Sequence, residues 1–311
     1  MIHSQRSKFE FIFSLKNSNA AENAKFASCS TSRLCRIFLV SETGYYKWRR
    51  RRGVLSSRLL LLEEIRKIIA EHQDNTNYGV PRMRLALAQK GIKRSQSTVR
   101  RAMILGNLIH RHHRRANSIT KADKKASKSP NIIERDFYAN EPYKKFIGDI
   151  TEISCKGGKL YVSIVVDCYS GEILGLAMAN NRQASLCVAA LDDAFRNIKP
   201  APGAIFHSDA GSQYTSEEFR AALGKYNLIQ SMGGIGRCYD NCRLESIFAI
   251  MKKEKIYKLK ANNMTIEQMK TEVWRFVQYY NRQRVCTFTE GGWPPSIFRE
   301  RNEAKQNKAT S

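Results

Sequence analysis

Apolar residues recur at positions 59, 62, 65, 68 and 69 between Leu59 and His72, the spacing of one helical face. The stretch NYGVPRMRLALAQKGIKRSQSTVRRAMILGNL continues in that period. It predicts one helix from Pro81 to Gly91 and another from a capping Ser95 or Ser97 to Gly106. Two short helices joined by a tight glycine-containing turn read as a helix-turn-helix. Its second helix carries Ser95, Gln96, Ser97, Thr98, Arg100 and Arg101 near its start. Upstream, residues 1–30 are weakly patterned and read as a loose lead-in. The text STSRLCRIFLVSETGYYKWRRRR then predicts a short helix, a turn at Thr43-Gly44, and Tyr45, Tyr46 and Trp48, at least two of them core.

The period changes after residue 140. FIGDITEISC and KLYVSIVVDCYS are strand-like runs around Lys156-Gly157-Gly158-Lys159, a hairpin signal, and GEILGLAMAN adds a third strand. Ala184 to Asn197 is helical, and AIFHSD is a short buried strand. Ser216 caps the helix SEEFRAALGKY, whose first turn holds Glu217 and Glu218. NLIQSM reads as a fifth strand, and a long helix runs from about Asp240 to Tyr257. The order predicts an α/β fold, a mixed sheet with helices on its faces. Trp274, Phe276, Tyr279 and Tyr280 fall at helical spacing and read mainly as core.

Charge divides the chain. Formal net charge is +25, and residues 1–148 hold 31 Lys and Arg against 11 Asp and Glu. A basic half of this kind points to a polyanion, and nucleic acid fits better than a membrane because no apolar run is long enough to span a bilayer. Arg49, Arg50, Arg51 and Arg52 beside aromatics are candidate phosphate contacts. Residues 110–130 are polar, basic and aperiodic, a linker that lies on DNA in this reading. The eight cysteines are scattered without a CxxC pair and read as reduced thiols. A zinc site from Cys29, Cys35, His110 and His112 would fit no common module.

Three carboxylates change the picture most. Asp149 lies inside the first strand, a poor place for aspartate without a reason. Asp209 falls at the carboxyl end of the fourth strand, where α/β sheets bind ligands. Glu245 lies near the start of the long helix. Parallel pairing of strands one and four would bring the aspartates together, with the helix laying Glu245 across them. Converging carboxylates repel unless cations neutralise them, and hard oxygen ligands select Mg²⁺ or Mn²⁺. Two such ions can activate the attacking oxygen and stabilise the leaving one in phosphodiester cleavage. By contrast, Asp167 reads as structural, Asp192 and Asp193 as solvated, His207 as a packed imidazole, and Asp240 as a cap.

The order Asp149, Asp209, Glu245, with 35 residues between the last two, resembles the DDE transposases and retroviral integrases. FIGDIT, KLYVSIVVDCYSGEILG, HSDAGSQYTS, CYDNCRLESIFAIMKKE and QYYNRQR…PPSIFR are similar to bacterial insertion-sequence transposases encoded as a second reading frame. The resemblance covers about residues 30 to 300 and implies a ribonuclease-H-like integrase core of five strands with helices on both faces. It implies two Mg²⁺ ions, replaceable by Mn²⁺, held by Asp149, Asp209 and Glu245. It further implies strand cleavage and transfer at transposon ends, with double-stranded DNA of those ends and of the target as partner. Lys252, two turns beyond Glu245, matches a basic residue that approaches the donor DNA end, and Asn241 matches one that orients the site. A homo-oligomer on DNA, an upstream-frame helix-turn-helix partner or fusion, and a bacterial cytoplasmic, nucleoid-associated location also follow from it. Many relatives carry Arg-x-His where this chain has Arg284-Val285-Cys286.

The expected organisation is a lead-in (1–30), a helical DNA-binding region (31–109), a basic linker (110–140), the catalytic core (141–262) and a helical extension and tail (263–311). Two other classes fit parts of the pattern: a same-fold nuclease without strand transfer, and a non-catalytic DNA-binding relative.

Overall fold

The computed structural model describes residues 4–17, 26, 28–52, 56–109, 129–134, 136–233, 242–259 and 261–310. The chain forms two compact units, Met1–Leu60 and Leu61–Ser311. Among the described residues no helix is long and apolar enough to cross a membrane.

The first unit contains α1 (Gln5–Lys16), α2 (Thr31–Ile37) and α3 (Glu42–Arg51). Ser4, Ser30 and Ser41 cap them, each hydroxyl accepting a backbone N–H from the first turn. Phe9, Ile12, Leu34, Cys35 and Tyr45 form the core, with Phe13 and Trp48 against it. Two expectations change here. Part of the presumed lead-in is helical, because Phe9, Ile12 and Leu15 line one buried face. Thr43-Gly44 is the first turn of α3 rather than a separate turn, with the Phe9 ring packed over Gly44. Tyr45 is buried and Trp48 packed, whereas Tyr46 is exposed.

α4 (Ser57–Ala70) leads into the second unit, followed by a short 3-10 segment (Gln73–Asn77), α5 (Val80–Gln89) and α6 (Gln96–Leu105). Leu61, Ile65, Ile68, Met83, Leu87, Val99 and Met103 pack the three helices into one core. Ser95 caps α6 by accepting the Thr98 N–H.

Strands β1 (Lys145–Cys155), β2 (Gly158–Asp167), β3 (Ile173–Ala179), β4 (Ile205–Ser208) and β5 (Ile229–Met232) form one sheet of order β3-β2-β1-β4-β5. The first three pair antiparallel, while β1–β4 and β4–β5 are parallel. α7 (Ala184–Ala194) and α8 (Glu217–Lys225) cover one face, where Phe146, Phe206, Leu191 and Phe219 are buried. α9 (Cys242–Glu254) and α10 (Ile266–Arg282) cover the other, over Ile147, Ile164, Leu244, Phe248 and Phe276. β2 is apolar and buried along most of its length because both faces are covered. Gly175 allows α7 to lie close on β3, since a Cβ there would collide with the Ala190 carbonyl.

α10 begins with a capping box of Thr265 and Gln268 and buries Phe276, Tyr279 and Tyr280. Trp274 departs from expectation: it is 54% exposed, because Val273 and Val277 take the core-facing positions. α11 (Pro295–Thr310) is tied back where the Arg299 Nε donates to Glu172 at 2.7 Å. The sequence-predicted linker falls largely outside the described residues, as do Asp240, Asn241, His110 and His112.

Candidate active site

The site starts from strand register. β1 and β4 pair as Lys145↔Ile205, Phe146↔Phe206 and Ile147↔His207. Continued two residues past the last paired position, the same offset would bring Asp149 beside Asp209, which follows the end of β4. Asp149 shares the strand face of Ile147 and Ile153, the face covered by α9 and α10. Gly148 lies beside it, and a Cβ there would collide with the Phe206 ring, so glycine permits this close strand approach.

Local hydrogen bonds hold both aspartates. Asp149 Oδ1 accepts from the Ile150 N–H at 2.7 Å, and Asp209 Oδ1 accepts from the Gly211 N–H at 3.0 Å. Glu245 is exposed in the first turn of α9, one residue after buried Leu244. Arg243 fixes that turn by donating to the carbonyls of Phe137 and of Cys168, the latter at 2.6 Å.

Electrostatics show that these groups share one neighbourhood. Burial pushes the Asp149 carboxyl up to about 8, and the charges of Asp209 and Glu245 add to the effect. The Ile150 N–H and Lys252 oppose the rise. Burial also raises Asp209, against the Gly211 N–H and the charge of Arg182. Lys252 is lowered by burial, against Glu152 and Asp149. The structure therefore groups Asp149, Asp209, Glu245 and Lys252. Among the described residues no three His, Cys, Asp or Glu side chains are gathered closely enough to form a ready metal cluster. The donor set nevertheless fits a hard divalent cation: carboxylate oxygens whose joint ionisation is opposed by burial and mutual repulsion.

Three features of the site were not singled out from sequence. Arg182 bears on Asp209, and the Gln213 side chain holds its carbonyl at 3.1 Å. The Tyr214 hydroxyl is buried beside Cys187, and both aspartates raise it further after burial and Cys187. Gln213 and Tyr214 stand in the HSDAGSQY stretch, so their nearness to Asp209 was a legible signal. Arg182 had none, because it arrives from the loop between β3 and α7.

The remaining candidates fall elsewhere. Arg49, Arg50 and Arg51 occupy the last turn of α3, and Arg52 stacks over Phe13 with its guanidinium carbon 3.5 Å from the ring centroid. Gln96, Ser97, Arg100 and Arg101 are exposed on the first turns of α6. Asp167 is structural, accepting from the backbone N–H groups of Tyr143 and Ser170 and from the Ser170 hydroxyl. His207 is packed, with Nδ1 2.9 Å from the Ser231 hydroxyl. Asp192 and Asp193 are engaged rather than merely solvated: Asp192 accepts from Lys225 and Tyr226, and Asp193 from the Leu176 N–H.

Known proteins align with this arrangement. Two integrase core domain families match residues 139–238 and 245–302. The transposase InsF of insertion sequence IS3A from Escherichia coli (strain K12) is 31% identical over 281 residues, 89% of this chain and 96% of that protein. A probable transposase of insertion sequence element IS1353 from Shigella flexneri is 31% identical over 267 residues, 86% of this chain and 51% of that protein. The HTLV-2 integrase catalytic core, solved with magnesium, covers 52% of this chain and 99% of its own at 17% identity and a TM-score of 0.42.

Proposed function

Because the chain belongs to the DDE-type transposases of bacterial insertion sequences, whose core has the ribonuclease-H-like integrase fold, we propose that Asp149, Asp209 and Glu245 form its catalytic centre. The observation that supports this reading is the parallel β1–β4 pairing, whose offset continued past Ile147↔His207 would bring Asp149 beside Asp209. These three side chains would hold two Mg²⁺ ions, with Mn²⁺ as substitute. When bound, the ions supply neutralising charge, an activated attacking oxygen and a stabilised leaving oxygen for phosphodiester displacement.

The chain's own groups do the rest. Asp149 and Asp209 each accept a neighbouring backbone N–H, which limits the orientations their carboxylates adopt. Lys252 sets a cation on the Asp149 side of the site, where it meets the donor-end phosphate. Gln96, Ser97, Arg100 and Arg101 contact end DNA from α6. Arg49 to Arg52 grip backbone phosphates, and Asn241 orients the site. Hydrolysis at the transposon end frees a 3′-OH, which then attacks a target phosphodiester. Two ends act together on a homo-oligomer, alone or with an upstream-frame helix-turn-helix protein, at the nucleoid.

Purified protein with Mg²⁺ and a labelled transposon-end duplex tests this. Cleaved and joined products are expected. Cleavage without joining identifies a nuclease, and retention without cleavage a binder. Asp209→Asn is expected to lower cleavage by about three orders of magnitude, several kcal/mol of lost transition-state stabilisation, with DNA retention intact. Full activity in that variant would refute the assignment.

A further inference from the structure

The helix-turn-helix and the catalytic helix are clamped together through buried charge. Glu254, the last residue of α9, accepts two hydrogen bonds from Arg284, each 2.8 Å, and lies 2.9 Å from Arg82 of α5. The next residue, Lys255, lies 3.0 Å from Glu272 of α10 and 3.5 Å from Asp74. Asn77 Nδ2 donates to the Glu254 carbonyl at 3.1 Å, and the Tyr279 hydroxyl donates to Asn75 Oδ1 at 3.0 Å. The Tyr78 hydroxyl accepts the Val285 N–H at 2.9 Å, and Gln89 Nε2 donates to the Gly291 carbonyl at 3.0 Å. Asp74, Glu254, Lys255 and Arg284 are all buried.

Such a cluster is a poor source of stability. Ions taken out of water lose solvation that their mutual attraction barely returns, and apolar residues of similar size often serve as well. Arg82 makes the point locally, because its Nη1 is buried without a hydrogen-bond partner. What buried ion pairs do well is fix register, since any slip leaves a charge uncompensated. Here the register fixed is that of α5 against the carboxyl end of α9. Glu254 is nine residues from Glu245, roughly 14 Å along a continuous helix. A displacement of the helix-turn-helix is then passed directly to the catalytic end of α9.

Resting on the proposed strand-cleavage reading, we infer that this clamp is a ruler: it sets the spacing between the base pairs gripped by α6 and the phosphodiester cut at Glu245. Arg82, through Glu254, and Lys255, through Asp74 and Glu272, are positioning residues in that ruler.

The test maps cut positions at nucleotide resolution on an end duplex, alongside gel-shift affinity and melting. Wild type is expected to cut at one position. Arg82→Met and Lys255→Met keep bulk while removing charge, and are expected to move roughly half the product to neighbouring phosphodiesters, given how steeply rates fall with small misplacements. Affinity should stay within about twofold, and Arg82→Lys should restore the single cut. Gln89→Ala removes an exposed link without threatening the fold, and should broaden the cut as well. A lower rate at an unchanged single position in all three disrupting variants overturns the ruler and leaves the catalytic reading standing. Absence of any cut by wild type overturns both.

Discussion

At the scale of single residues, Asp149 is the informative group. Its carboxyl is pushed up to about 8 by burial, with Asp209 and Glu245 adding to the rise. The folded state therefore holds a proton that the unfolded state releases near pH 4, so stability falls as pH rises between those values. Metal-free protein is expected to melt several degrees lower at pH 8 than at pH 5 through this group. Asp149→Asn should remove that part of the slope and melt higher than wild type at pH 8. Mg²⁺ should raise wild-type melting at pH 8 by mass action and have a much smaller effect on the variant. Thermal melts at both pH values, with and without Mg²⁺, check all three. Asp149 stood out because it breaks a local rule for its strand, and Asp209 and Glu245 because their order and spacing after it resemble the family pattern. Arg182 breaks none, since a surface arginine is ordinary.

Among elements, α6 is the candidate recognition helix. Its buried residues Val99, Ala102 and Met103 face α5, which leaves Gln96, Ser97, Arg100 and Arg101 exposed on the opposite side. If Arg100 and Arg101 contact phosphates, alanine at each should weaken binding across sequences and lower the salt slope by about 1. Gln96→Ala should instead relax base preference with little change in slope. Binding titrations at several salt concentrations separate the two. Helical and strand periods announced nearly all the elements, because both repeat locally. The misreadings share a cause in packing between elements. α1 becomes regular against α2 and α3, Gly44 is tolerated in a helix that Ser41 caps, and Trp274 lies just off a stripe already filled by Val273 and Val277.

For the whole molecule, the two compact units divide the basic charge between them. Met1–Leu60 holds Arg49 to Arg52, and the second unit holds α6 together with the three carboxylates proposed as catalytic. A chain starting at Ser56 should keep a cooperative melt and the far-UV signature of the second unit. It should also bind duplex DNA with a smaller salt dependence, as four arginines leave the contact. An unchanged slope would remove Arg49 to Arg52 from the DNA interface. The five strands were readable because each carries its own apolar signature, whereas the place of β5 at the edge beside β4 was not. The clamp was not, because its partners lie far apart in the chain: Asn77 with Glu254, and Tyr78 with Val285. Nothing local marks a residue for a partner so distant.

That separation gives the order of synthesis a meaning. The residues proposed to grip DNA leave the ribosome first, the two aspartates next, Glu245 later, and Arg284, Val285 and Gly291 last among the clamp residues. A nascent or prematurely terminated chain ending before Arg284 carries a complete α5–α6 pair and the three acids proposed as the active site. It lacks the guanidinium that closes on Glu254. Such fragments would occupy end DNA without the clamp that sets the cut, and so would compete with the full-length product for the same ends.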